Sequence, residues 1–178
     1  MFRPVNDFRQ EETKLVLLYN SLTFKVGDVV ALDNTGSALY LSYATNATGA
    51  VAGNYLVYGV LQGFAKADGS IYPAQGQDPI NTPNQVTTAV TNTTVELIYG
   101  VVLPIKASMT FIADLDAAAG TTHISSSQPY VYFDLADART LDESSVTAVS
   151  TPAQFLSYGV VEGQTTQVYG YFHERLLS

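Results

Sequence analysis

One eight-residue phrase occurs three times in this 178-residue chain, and it constrains the fold more than any other feature. Its copies begin at Leu56, Leu97 and Leu156, and each keeps Leu, Tyr, Gly and Val at the same places. A shorter version, Val-Tyr-Gly-Tyr-Phe, ends at Phe172. Because successive side chains of a strand point to opposite faces, the phrase predicts a strand with one aliphatic and aromatic face and a glycine gap in the other.

The copies are unequally spaced along the chain, which argues against a solenoid or a propeller with a fixed period. We therefore interpret them as strands of one sheet or barrel that use the same residues because they pack in the same way. On this interpretation Gly59, Gly100 and Gly159 all fill gaps that a side chain would overpack. Valine at any of the three positions is expected to destabilise the fold.

The rest of the chain predicts a mainly β protein whose body is a single β-barrel or β-sandwich with long polar loops. Residues 24–32 and 39–44 read as the two strands of a hairpin, and residues 66–70 read as a second hairpin turn. At most one or two short helices are expected. The best helix candidate is Asp114 to Gly120, and another helical turn fits between Asp134 and Glu143.

Two segments stand apart from this body. Residues 1–14 carry mixed charges interleaved with aromatic residues and predict an extended N-terminal arm, which either docks on a partner or frays. Residues 15–178 form the β domain, and residues 73–94 are a Pro/Thr/Asn-rich loop within it, either a second arm or edge strands that reach a neighbour. Deleting residues 1–13 is then expected to leave the β domain folded. The predicted partner-binding residues are Phe2, Arg3, Phe8 and Arg9.

Composition excludes several classes of protein. Cysteine is absent, so the chain has no disulfide framework, thiolate metal site or cysteine nucleophile. The net charge is −8, whereas a nucleic-acid binder carries clustered basic residues, so we expect no nucleic-acid partner. No apolar run is long enough to span a membrane or form a signal peptide, so we expect synthesis in a cytoplasm and no membrane partner. Only 13% of the residues are charged, which suits either a crowded assembly or simply a threonine-rich β protein.

No constellation of residues predicts catalysis. The histidines, His123 and His173, are isolated and lack a partner at metal-ligand spacing. Asp114 and Asp116 could offer oxygen atoms to calcium, but a helix cap explains them more simply. Twelve tyrosines without a single tryptophan favour core or subunit-contact roles over a sugar platform. We therefore expect a protein that is not an enzyme, with no catalytic residue, no cofactor and no metal ion.

One stretch resembles a known family. It runs from Lys25-Val-Gly-Asp-Val-Val30 through a loop of small residues to Tyr58-Gly-Val-Leu-Gln-Gly63. This pattern is similar to that of the head decoration, or cement, proteins of tailed bacteriophages. The similarity covers residues 24–63, with an echo at residues 156–163.

The resemblance implies a β-rich virion protein on the outer surface of the capsid. Such a protein is made in the host cytoplasm, is frequently a trimer, and stabilises the shell by bridging neighbouring subunits of the major capsid protein. The alternatives are another virion component, such as a tail or head-fibre adaptor, or a carbohydrate-binding β module.

Overall fold

The computed structural model describes residues 1–5, 13–19, 22–33, 40–43, 57–68, 70, 90–91, 98–106, 109–119, 130–145 and 155–172. Within these ranges the chain is mainly β, which confirms the predicted fold class. The strands are β1 (Phe2–Pro4), β2 (Lys14–Leu18), β3 (Thr23–Phe24), β4 (Val29–Asp33), β5 (Tyr40–Tyr43), β6 (Val57–Ala65), β7 (Val90–Thr91), β8 (Tyr99–Pro104), β9 (Phe111–Leu115), β10 (Val131–Phe133), β11 (Thr140–Leu141), β12 (Phe155–Val160) and β13 (Gln167–Phe172).

These strands form two main units. The barrel is closed and has the strand order β2-β5-β4-β6-β8. The second unit is a six-stranded sheet with the order β1-β9-β13-β12-β10, in which β11 also pairs with β9. The predicted hairpin is confirmed, because β4 and β5 pair antiparallel from Val30 opposite Tyr43 to Asp33 opposite Tyr40.

The barrel and the sheet share one wall, made by β4 and β6. Val30 and Leu61 point into the barrel core. Val29, Ala31 and Val60 point the other way and pack in the core that lies against the sheet. Both faces of these strands are therefore buried, which explains why their sequences are apolar at nearly every position.

The sheet separates its two kinds of aromatic residue by face. Its phenylalanines are fully buried and contact one another, as in the edge-to-face pair of Phe155 and Phe172 with ring centroids 5.2 Å apart. Phe2 packs on Phe172 at 5.3 Å. The alternate positions of β10 and β13 hold tyrosines that are only partly buried. A phenol with one polar end is suited to the wet face of a sheet, and a phenyl ring to the dry one.

The repeated phrase supplies two neighbouring barrel strands, β6 and β8, and one strand of the sheet, β12. A methyl group on Gly59 would lie 2.6 Å from the carbonyl oxygen of Leu103, and one on Gly100 would lie 2.6 Å from Leu41 Cδ1. A methyl group on Gly159 would meet no described atom within 4 Å. The expectation that all three glycines fill tight gaps is therefore wrong at Gly159.

The helix prediction for residues 114–120 is wrong over its described part. Asp114 and Leu115 belong to β9, and residues 116–119 are irregular. The burial of Phe111, Ala113 and Leu115 alternates with partial exposure between them, and this two-residue period of a paired strand overrides the helix propensity of the alanines that follow. Of the second predicted helical turn, only its last residue is helical, because a 3-10 helix spans Glu143–Ser145.

The first residues are part of the body and not an arm. β1 pairs antiparallel with β9, and the side chain of Phe2 is 1% exposed. Burying a phenylalanine ring is worth about 1.5–3 kcal/mol, which holds the segment on the sheet. Phe8 and Arg9 lie outside the described residues. Of the loop at residues 73–94, the described part is β7, which pairs with β3 of the same chain.

Candidate partner-binding face

The outer face of the six-stranded sheet carries an aromatic surface. We call it the tyrosine face and define it by Arg3, Ile112, Tyr132, Tyr158, Tyr169 and Tyr171. Strand register places these residues together, because Arg3 lies opposite Ile112 and Ile112 lies opposite Tyr169. A second row crosses the sheet from Tyr171 through Leu156 to Tyr132.

A β-bulge in β12 lies at Tyr158. The register between β12 and β13 shifts between Ser157 and Gly159, so Tyr158 falls outside the ladder. Ser157 stays on the buried side, where its hydroxyl donates to the carbonyl oxygen of Tyr169 at 3.0 Å. Tyr158 follows the buried Ser157, so it points to the outer face, where it is 40% exposed. The bulge brings Gly159 opposite Tyr169 on that same face.

The three tyrosines around this bulge contact one another. The ring of Tyr158 lies nearly parallel to that of Tyr169, with centroids 6.3 Å apart and an interplanar angle of 13°. Its centroid is 6.5 Å from that of Tyr171. Gly159 lies opposite Tyr169 and adds no side chain beside the rings. The result is a group of three tyrosine rings on paired strands, and paired strands hold side chains more rigidly than loops do.

Arg3 is the cation at the β1 edge of this face. Its Nε atom is buried and has no hydrogen-bond partner among the described residues. This atom cannot itself reach a partner, but Arg3 as a whole is partly exposed, and a carboxylate is the group that best fits a guanidinium. Arginine and tyrosine are also the residues enriched at the energetic centres of protein interfaces.

The structure separates the residues that the sequence predicted to bind a partner. Phe2 and Arg3 are consecutive in β1, so they point to opposite sides of the sheet. Phe2 lies in the core, so the prediction that it binds a partner is wrong. Arg3 remains a predicted partner-binding residue. Sequence reasoning missed Tyr158 and Tyr169 as surface residues. The signal was present in the run Val168 to Phe172, where tyrosines alternate with residues suited to a core.

The motif that carries the family resemblance is a structural junction. Lys25 to Asp28 form a turn in which the Asp28 N–H donates to the Lys25 carbonyl oxygen at 3.1 Å. Gly27 has φ +88° in this turn, the conformation that a type II turn requires at its third residue. The side chain of Met1 fills the space above Gly27 and leaves no room for a methyl group there.

Asp28 joins the barrel to the sheet from within this turn. Its carboxylate is fully buried, and Arg139 contacts it with Nε 2.7 Å from Oδ1 and Nη2 3.0 Å from Oδ2. Oδ2 also accepts the Lys25 N–H at 2.8 Å. Burial raises the pKa of Asp28, and the bonds from Lys25 and Arg139 oppose this rise only in part. The geometry is that of a buried structural support between the two units.

The other carboxylates of the described chain do not assemble into a reactive site. Asp134 is nearly buried, and burial followed by the nearby charge of Asp142 raises its pKa. Within the described ranges, no three His, Cys, Asp or Glu residues lie close enough to hold a metal ion. His123 and His173 lie outside those ranges. Of the helical residues that the structure describes, none form a segment long and apolar enough to cross a membrane.

Three comparisons give this chain no relative from which a role could be transferred. No family model matches it, and neither a curated protein nor a solved structure is similar to it.

Proposed function

We propose that this chain is a structural virion protein that binds the outer surface of a phage capsid and bridges neighbouring subunits of the major capsid protein. The observation that carries the proposal is the tyrosine face, an exposed aromatic surface with a guanidinium group on a rigid sheet. The resemblance of residues 25–30 and 58–63 to head decoration proteins supports the choice of partner.

The proposed mechanism is mechanical. The tyrosine face would lie on the capsid, and the Arg3 guanidinium would bind a carboxylate of a capsid subunit. Each well-packed aromatic or arginine anchor in such an interface contributes about 2 kcal/mol or more on truncation. The shared wall of the barrel and the sheet keeps the body stiff, so these contacts would resist displacement of the subunits that they join.

The test uses empty shells assembled from the major capsid protein encoded in the same genome. The purified chain is mixed with shells and sedimented, and the bound fraction is measured against concentration. We expect saturable binding and shells that withstand higher temperature when coated. A wild-type chain that stays in the supernatant at every concentration would rule the proposal out.

Gly159 offers a matched pair of variants for this test. Gly159→Arg adds a long cationic side chain beside Tyr158 and Tyr169 without touching the core, and it should weaken shell binding about 10-fold or more. Gly159→Ala adds one methyl group in open space and should bind like the wild type. Equal binding by both variants would show that shells are bound through another surface.

One observation favours a second candidate, a carbohydrate-binding module. The parallel rings of Tyr158 and Tyr169 could stack on a sugar ring. A glycan array read with the wild type and with Gly159→Arg separates the two candidates. Saturable binding to a defined glycan that the Arg variant loses would favour the carbohydrate module, and binding to tails in place of shells would favour the adaptor role.

A further inference from the structure

Two aspartates lie side by side in the sheet unit, where the chain that follows β10 meets the end of β11. Leu135 forms an antiparallel bridge with Leu141, and the Asp142 N–H donates to the Asp134 carbonyl oxygen at 2.9 Å. Asp134 and Asp142 are therefore directly opposite each other. Residues in this relation point to the same face with Cβ atoms about 4.5–5.5 Å apart, and like charges so placed repel each other.

Asp134 is the buried member of this pair. It is only 6% exposed, and its Oδ1 atom is buried without a hydrogen-bond partner. Neither carboxylate of the pair forms an ion pair with a described lysine or arginine, and the nearby Arg139 binds Asp28 instead. A buried carboxylate without a partner is unfavourable, so this position calls for a positive charge beside it.

Asp142 is oriented by the residues that follow it. Its Oδ1 atom accepts the Ser144 N–H at 2.9 Å and the Ser144 hydroxyl at 2.7 Å, which leaves Oδ2 without a donor among the described residues. Ser145 ties the same turn to Asp134, because its hydroxyl accepts the Asp134 N–H at 2.8 Å and donates to the Asp142 carbonyl oxygen at 2.7 Å. Asp142 is only half-buried, so one side of the pair meets solvent.

Two further carboxylates add negative charge around the pair. Asp116 lies on the other side of Asp142, because Leu141 is opposite Leu115 in the parallel pairing of β11 with β9. The Glu143 N–H donates to Asp116 Oδ1 at 2.8 Å. Within the described ranges no three acidic side chains lie close enough to hold one ion, so Asp116 and Glu143 are not ligands. Their charge still raises the local concentration of cations.

We infer that Asp134 and Asp142 together bind a hard divalent cation of the Ca²⁺ or Mg²⁺ type. Hard cations prefer carboxylate oxygens, and Mg²⁺ is commonly held by one or two carboxylates while water completes its coordination. Such an ion replaces the repulsion between the two side chains with attraction to both. It also gives the buried carboxylate of Asp134 the partner that the described chain does not supply.

The position of the pair gives the ion a structural role. Asp134 directly follows β10, which pairs with β12, and Asp142 directly follows β11, which pairs with β9. The ion therefore clamps two opposite sides of the sheet together. The sequence did not predict a metal ion here. This site is separate from the proposed binding to a capsid and uses neither Arg3 nor the tyrosine face.

Thermal melts of the full chain test the inference. Metal is removed with EDTA and dialysis, and the protein is melted in CaCl₂, in MgCl₂ and in NaCl at one ionic strength, so that screening is the same throughout. For a Kd of about 1 mM, about 10 mM of the ion that binds should raise the melting temperature by about 3–6 °C. Equal melting temperatures of the wild type in all three salts would overturn the inference.

Three aspartate-to-asparagine variants locate the ion. Asp134→Asn and Asp142→Asn keep the size of the side chain and remove its charge, so each should lose the ion-dependent rise, whatever its stability without the ion. Asp68→Asn makes the same change at an exposed turn of the barrel and should keep the full rise. A rise that persists in both pair variants, or that Asp68→Asn also loses, would contradict the site.

Terbium luminescence gives a readout that does not depend on stability. Tb³⁺ occupies oxygen-ligand sites of this type, and Tyr132 is suited to sensitise its emission because it lies two residues before Asp134 on the same face of the chain. We expect emission that saturates with Tb³⁺, falls when Ca²⁺ or Mg²⁺ is added, and is lost in Asp134→Asn. Emission of equal strength from Asp134→Asn and the wild type would overturn the assignment of the ion to this pair.

Discussion

A methyl group added at Gly59, Gly100 or Gly170 would meet neighbouring atoms, whereas one added at Gly159 would not. An alanine methyl group would meet the backbone carbonyl of Leu103 at Gly59 and the ring of Phe155 at Gly170, with Phe155 Cζ at 2.8 Å. At Gly100 it would meet the ends of leucine side chains, which can shift. We expect Gly59→Ala and Gly170→Ala to lower the free energy of unfolding by about 1–3 kcal/mol, and Gly100→Ala by less.

Gly159→Ala is the control for this series. Its methyl group enters open space, so the free energy of unfolding should stay within about 0.5 kcal/mol of the wild type. Urea unfolding followed by circular dichroism measures all four variants. A loss at Gly159 equal to that at Gly59 would mean that the two glycines have the same role after all.

The ion pair of Asp28 and Arg139 predicts a pH-dependent loss of stability. Arg139→Met leaves a fully buried carboxylate without its guanidinium partner and should cost about 3 kcal/mol at pH 7, at the low end for buried pairs because Arg139 is partly exposed. Burial already raises the pKa of Asp28, and losing Arg139 raises it further.

The sign of the pH dependence follows from this direction. With a folded-state pKa above the unfolded value of 3.8, the folded variant binds a proton that the unfolded chain does not. The cost of Arg139→Met should therefore shrink as pH falls from 7 towards the unfolded pKa. Asp28→Asn added to Arg139→Met should remove this dependence on pH. A cost that is equal at pH 5 and pH 7 would contradict it.

At the scale of elements, β1 combines a core residue and a surface residue in consecutive positions. Phe2→Ala should lower the free energy of unfolding by about 3–5 kcal/mol, because the ring is buried among phenylalanines of β12 and β13. Arg3→Ala should leave stability nearly unchanged and weaken shell binding. Thermal melts and shell sedimentation of the two variants separate the effects. A loss of stability in Arg3→Ala, with a loss of shell binding alone in Phe2→Ala, would contradict the assignment of Phe2 to the core and Arg3 to the surface.

The same strand changes the expectation for a truncated chain. Deleting residues 1–13 removes β1 and the ring of Phe2 from the sheet, so we now expect a destabilised protein instead of an intact β domain. Far-UV circular dichroism and melting temperature measure this directly. An unchanged melting temperature would restore the interpretation of these residues as an arm.

Strands with local signals could be predicted from the sequence, and those fixed by distant partners could not. The hairpin of β4 and β5 followed from a valine-rich run and a cluster of turn residues. β9 extends to Asp114 and Leu115 because β11 pairs with both residues and β13 pairs with Asp114, and no local pattern reveals those partners. Alternation along β12 from Phe155 places Tyr158 on the tyrosine face, but it does not anticipate the bulge that sets Gly159 opposite Tyr169.

At the scale of the whole molecule, the shared wall predicts that the barrel and the sheet unfold together. Val60 is fully buried where β6 packs against the sheet. Val60→Ala should therefore lower a single transition, with coincident midpoints by far-UV circular dichroism and by tyrosine fluorescence. Two separated transitions would mean that the units are stable independently.

Charge is divided along the chain, because all four lysines precede residue 107 and the seven described carboxylates of the sheet unit lie between Asp114 and Glu162. The net charge of −8 is only their sum with the other charges and does not reveal this division. Folding brings Asp116, Glu143 and Glu162 to one end of the sheet, although they come from three separate segments. The order of charges along the sequence therefore showed which part of the chain is acidic, but it could not show that these three residues share one end of the sheet.

The pairing of β1 with β9 has a consequence for how the protein is made. Phe2 contacts Phe155 and Phe172, so its site exists only when residues up to Phe172 have left the ribosome. Contacts between residues so far apart in sequence slow folding. Until β12 and β13 have been translated, the ring of Phe2 lacks these two contacts. Completion of the sheet therefore follows the synthesis of β13, and a nascent chain stalled before β13 would carry an exposed ring that chaperones can recognise.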